Sequence, residues 1–192
     1  MMVGAVAASV ALASGCAAAG TAHPAAATTA PAVATASFTA MGLSFRYPAT
    51  WRSGTWNDDV SSFTRSIVYL STVRQHEPCS VTIGPGRITK ICSYPVGKLP
   101  PGGVLVRWNT DGFPNWHLPK ANTTVGGRPA VETRTSGGWC APLGGTETIT
   151  VMIPRQVDNW YQMDACLHGP SLTRHEAEIA SMLSSVRIAK GD

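Results

Sequence analysis

Charge is what this sequence is short of. Acidic and basic side chains make up 14% of its 192 residues, and none precedes Arg46. The 15 basic and 11 acidic residues are scattered through the remainder, with no run of Lys or Arg. A nucleic-acid binder gathers its cations along one stripe, so the net charge of +4 argues against nucleic acid as a partner. It suits residence near an anionic membrane or cell wall instead. Catalytic and cofactor signatures are missing as well. There is no G-x-S-x-G elbow, no H-E-x-x-H, no G-x-G-x-x-G opening a helix and no Walker loop. No cofactor is expected. A span-length apolar run is lacking at the N-terminus: Val3 to Ala13 is apolar for 11 residues, where a transmembrane helix needs about 20.

That short stretch has the length of a signal-peptide core. It ends in Ala13-Ser14-Gly15-Cys16, which resembles the lipobox of bacterial lipoproteins. The resemblance implies a signal peptide over residues 1–15 and a lipid attached to Cys16, which anchors the chain to the outer face of the cell membrane. The alternative is an ordinary secretory leader cut near Ala19, giving a secreted protein. Residues 16–36 are almost entirely Ala, Thr and Pro, with Val33 as the one large apolar side chain. Such a segment cannot offset its ordering entropy, so it is expected to be a flexible tether. A single globular domain is expected over residues 37–192.

Four cysteines remain: Cys79, Cys92, Cys140 and Cys166. An even number in an exported domain points to disulfides. Three connectivities exist, and the local pattern selects one. Pro85-Gly86 is a turn signal between two short strand-like runs. A hairpin centred on it opposes Ile83 with Ile88, Val81 with Lys90 and Cys79 with Cys92, which brings the two sulfurs within bridging range. Cys140 and Cys166 then pair by default, near the outer ends of two neighbouring strands. The rival reading is a metal site built from His76, Cys79 and Cys92, but a cysteine already opposed to another is a poor ligand.

Alternating or apolar runs mark about eight strands, among them Leu43 to Tyr47, the run through Ile67 and Tyr69, Val104 to Trp108, Pro129 to Thr135, Thr148 to Ile153 and Tyr161 to Leu167. One helix follows. Thr173 and Glu176 read as its capping box, and Ala177, Ile179, Ala180, Met182 and Leu183 as its apolar stripe. His175 is expected in solvent beside Glu176, and Asp58-Asp59 in a solvated loop. The class is α+β, an antiparallel sheet covered by a C-terminal helix; a disulfide-bonded β-sandwich is the alternative.

The segment Phe45-Arg46-Tyr47-Pro48-Ala49-Thr50-Trp51, the Gly-Gly-Arg-Pro-Ala at 126–130 and the terminal Ser185-Val186-Arg187-Ile188 resemble the PsbP-like and LpqN-like lipoproteins of actinobacteria. The likeness implies an antiparallel sheet sandwiched by helices and no shared active site.

The most unusual stretch is Arg107 to Pro119, with aromatic, amide and carboxylate side chains around Gly112 and Pro114. Read as a loop, it offers Trp108, Asp111, Phe113, Trp116 and His117 as a candidate surface for an envelope glycan or protein. The competing reading has the aromatics covering a sheet edge. The expected function is thus that of a noncatalytic envelope binding or accessory module. An exported hydrolase with a site assembled from dispersed residues is the alternative, and a structural subunit of a membrane complex a third.

Overall fold

A computed structural model describes residues 34–58, 63–114, 117–156 and 159–189. The leader, Cys16 and the expected tether up to Val33 lie outside the described residues. Twelve strands occur among those described: β1 (Thr35–Ala40), β2 (Leu43–Pro48), β3 (Arg52–Gly54), β4 (Arg65–Ser71), β5 (Cys79–Gly84), β6 (Arg87–Cys92), β7 (Val104–Gly112), β8 (Thr123–Val125), β9 (Arg128–Ser136), β10 (Glu147–Gln156), β11 (Asn159–Leu167) and β12 (Arg187–Ile188). Helix α1 (Leu172–Ser184) precedes β12, and a 3-10 helix spans Gly138–Leu143.

The strands do not form one sheet of eight. Seven make the main antiparallel sheet, in the order β3-β4-β7-β11-β10-β9-β8, three make a small sheet β1-β2-β12, and β5 and β6 pair only with each other. The main sheet is buried on both faces, which is why its central strands read as almost continuous apolar runs. Val104, Val106 and Trp108 of β7 point to one face and Leu105 and Arg107 to the other.

On the first face, Leu43, Phe45 and Tyr47 of β2 join Ile179 and Met182 of α1 in the larger core. The helix is therefore not the sole cover; the small sheet shares that task. Strand β1 begins at Thr35, two residues inside the stretch expected as tether, because Ala36 and Phe38 pack on this core. The smaller core on the second face gathers Tyr69, Leu105, Val96, Leu99, Leu143 and the Cys140–Cys166 bridge.

The hairpin register agrees with the sequence expectation: Ile83 opposes Ile88, Val81 opposes Lys90, and Cys79 is bridged to Cys92. Cys140 also bridges Cys166, but it sits on the 3-10 helix and not on a strand. Gly145 permits this approach, since a Cβ there would lie 2.6 Å from the Cys140 Cβ. Gly126 and Gly127, both with positive φ, turn β8 into β9. A Cβ on Gly126 would press on Val186 at 3.3 Å.

Helix α1 departs from expectation at its start. Its N-cap is Ser171, with no capping hydrogen bond from the side chain. Thr173 and Glu176 form no capping box; Glu176 pairs instead with Arg134 at 3.3 Å. The buried face runs through His175, Ile179 and Met182, the helical i, i+4, i+7 spacing. Ala177 and Ala180 are exposed, since two methyl groups bring little apolar area to the contact. His175 is buried and not solvated, with Nδ1 2.7 Å from a Glu178 carboxylate oxygen and Nε2 2.9 Å from the Gly102 carbonyl.

Candidate functional site

Residues 107–112 are strand, not loop. The ladder between β7 and β11 continues to Gly112 opposite Asn159, and this regular pairing decides where each side chain goes. Trp108 is fully buried and stacks on Phe45, ring centroids 5.2 Å apart. It is a core residue and offers no face to a ligand. Asp111 accepts from the Thr64 hydroxyl at 3.0 Å and from the Gly112 amide at 2.9 Å. Phe113 is exposed beside Phe63, 6.0 Å between centroids. His117 is exposed, and Trp116 lies outside the described residues. Fold pairing thus splits the expected aromatic surface, leaving Phe113 as its exposed ring among the described residues.

A polar row emerges that no sequence motif announces. Tyr69 on β4, Arg107 on β7, Asp164 on β11 and Thr150 on β10 are successive cross-strand partners and so share one face of the sheet. Arg107 donates to Asp164 at 2.9 Å, the Thr150 hydroxyl donates to the same carboxylate at 2.9 Å, and Gln162 donates to both its oxygens. Trp139 of the 3-10 helix covers Arg107, with its ring centroid 5.4 Å from the guanidinium. At the row's end Tyr69 donates to Asp58 at 2.5 Å. Asp58 is thus buried, against the expectation of a solvated pair; Asp59 lies outside the described residues.

Burial, followed by the Asp58 carboxylate, pushes the Tyr69 hydroxyl up to about 12. A phenol held that far up stays protonated at neutral pH and serves as a donor, not as a base. Burial alone would lower the Arg107 pKa, and Asp164 more than offsets it, so the guanidinium stays charged. The row ties β4, β7, β11 and β10 together through the Arg107–Asp164 pair and its neighbours, while Arg107 Nε and Asp58 Oδ1 are buried without a hydrogen-bond partner among the described residues. The alternation of β7 was readable in sequence, but its partners lie 38 and 57 positions away and only pairing reveals them.

His168 Nδ1 sits 2.8 Å from the Leu99 carbonyl, and His175 lies between Glu178 and the Gly102 carbonyl with the Arg174 guanidinium 3.2 Å from its Nε2. Among the described residues no group of three or more His, Cys, Asp or Glu could hold a metal ion, and no helix is long and apolar enough to cross a membrane.

The conspicuous surface feature is the β5–β6 hairpin. Four aliphatic side chains stand out from it: Val81 is 59% exposed, Ile83 78%, Ile88 73% and Ile91 63%. The register sets Val81, Ile83, Ile88 and Lys90 with the disulfide on one face, and Ser80, Thr82, Thr89, Arg87 and Ile91 on the other. At the base, Lys90 Nζ donates to the backbone and side-chain oxygens of Asn57, and Ser93 returns two hydrogen bonds to the Pro78 carbonyl. Neither β5 nor β6 hydrogen-bonds to a strand of the other two sheets, and neither contributes a side chain to the two apolar cores.

The chain matches no protein-family model, no curated protein and no solved structure.

Proposed function

We propose that the chain is a noncatalytic, extracytoplasmic binding or accessory module, held at the outer face of the membrane through Cys16, with the β5–β6 hairpin as its contact surface. The observation that carries this reading is the row of aliphatic side chains left in solvent on a disulfide-braced hairpin. Contiguous exposed apolar surface with a polar rim marks interaction sites in soluble domains. A covalent brace at its base keeps a two-stranded ribbon from fraying.

Two disulfides fit an oxidising compartment, and the Cys16 motif supports export. The same reading keeps the likeness to PsbP-like and LpqN-like lipoproteins as a proposal. In its favour, the Arg46 amide donates to the Ser185 hydroxyl at 2.8 Å, and Gly126 lies against Val186, so the three short motifs meet in space.

Fractionation of cells producing the full chain tests the proposal. The protein should sediment with membranes carrying four oxidised cysteines and resist high-salt washing, and Cys16→Ser should make its attachment salt-sensitive. Recovery from the cytosol with an uncleaved leader and free thiols would sink it.

A further inference from the structure

We infer that the hairpin tip docks on an anionic lipid surface, with Ile83 and Ile88 entering the interfacial layer and Arg87 meeting headgroup phosphates. The inference rests on the proposed function and names the partner of that surface.

Shape comes first. Ile83 and Ile88 oppose each other one pair back from the Pro85-Gly86 turn. They lie four residues beyond the Cys79–Cys92 bridge, about 13 Å along the ribbon. They form the head of a projecting wedge, not the wall of a groove. Ile83 and Ile88 are 78% and 73% exposed, the most exposed large aliphatic side chains among the described residues, and so can enter an interfacial layer without rearrangement of the domain.

Charge completes the case. The segment carries Arg87 and Lys90 and no acidic residue. Lys90 is engaged with Asn57, and Arg87 has no ion pair among the described residues, so the cation at the turn is the one available to phosphate. Arg87 stands on the face opposite Ile83 and Ile88, one pair nearer the turn, so an end-on approach of the tip places its guanidinium in the headgroup layer. The turn's backbone groups forbid deeper entry, since hydrocarbon leaves them unpaired. The docking depth is therefore interfacial, about 5–10 Å.

Position permits it. The chain from Cys16 to Thr35 spans at most about 65 Å when extended. It enters the domain at Ala34, whose carbonyl accepts from Ala49. β3 follows and pairs with Ser71, the end of β4 from which the chain leaves for the hairpin. A lipid on Cys16 would hold the wedge at high local concentration near the bilayer.

The experiment uses the chain from Ala17 onward, so that neither an acyl group nor the apolar leader contributes to partition. It is mixed with vesicles of equal phosphatidylcholine and phosphatidylglycerol, or of phosphatidylcholine alone. Trypsin cleavage after Arg87 and Lys90 reports on the hairpin itself, and vesicle sedimentation reports on partition. Anionic vesicles should slow both cleavages by about tenfold, and high salt should restore them. Ile83→Ser with Ile88→Ser should lower partition by about tenfold, and Arg87→Gln should remove the preference for the anionic lipid. Near-ultraviolet circular dichroism verifies that each variant keeps its fold. Cleavage rates untouched by anionic vesicles overturn the inference. If isolated envelopes then protect the hairpin, and protease-treated envelopes do not, the surface belongs to a protein and the proposed function stands. If envelopes give no protection either, both readings fall.

Discussion

Asp164 is nearly inaccessible to water, yet it is a charged group at the centre of the sheet. It is tolerated because Arg107, Thr150 and Gln162 all donate to it. Removing one member of a buried pair strands the other charge. Asp164→Ala should therefore cost about 3 kcal/mol or more in urea-monitored stability, while Asp164→Asn, which keeps the shape and some acceptors, should cost less. Tyr69 gives a prediction in pH. Its folded pKa is about 12, above the unfolded value of about 10. A raised acid pKa means the fold favours the protonated phenol, so the stabilisation is complete below pH 10 and is lost as pH climbs toward 12. The wild-type minus Tyr69→Phe absorbance at 295 nm should show one tyrosinate midpoint near 12; a midpoint near 10 would contradict the buried contact with Asp58. Asp58 and His175 share a lesson. Both look like solvated polar residues in sequence, because nothing local tells a buried polar group from an exposed one. What separates them is a distant partner, Tyr69 for Asp58 and the Gly102 carbonyl for His175.

Elements differ in how much of their stability is their own. The β5–β6 hairpin pairs with no other strand, so its order depends on the Cys79–Cys92 bridge. Cys79→Ser with Cys92→Ser should speed trypsin cleavage after Arg87 and Lys90 by at least about tenfold and shift the domain's thermal midpoint by only a few degrees. The bridge from Cys140 to Cys166 is buried in the second core. Its removal should act on the whole domain, lowering stability by roughly 2–5 kcal/mol in one cooperative transition. Helix α1 depends on packing in the opposite sense: its cap is weak and Ile179 is nearly fully buried. Ile179→Ala should cost about 2–5 kcal/mol, and Ala180→Ser, at an exposed position, less than about 0.5 kcal/mol; chemical denaturation of the pair checks both.

At the scale of the whole molecule, the described residues from Ala34 onward form one compact unit. A chain starting at Val33 should keep its thermal midpoint. One starting at Met41 loses β1, and with it Phe38 from the core, and should melt several degrees lower by calorimetry; equal midpoints would show that β1 contributes nothing. Many of the strand positions, the hairpin register and the Cys79–Cys92 pairing were legible because each rests on local alternation and turn chemistry, whereas Cys140–Cys166 followed only by elimination and residues 109–112 of β7 read as loop. The split into a seven-stranded sheet, a three-stranded sheet and a separate ribbon was not legible, since strand neighbours are chosen by contacts far apart in the chain.

The candidate site divides along the same line. Sequence by itself determined that Ile83 and Ile88 face each other and that Cys79 meets Cys92, because a two-residue turn fixes the register on both sides of it. It also determined that Trp108 belongs to an apolar strand. Only the tertiary structure decided that Trp108 is sealed inside while the hairpin's aliphatic residues stay in water. Burial is a property of what packs against a surface, and that is set when distant strands choose their neighbours.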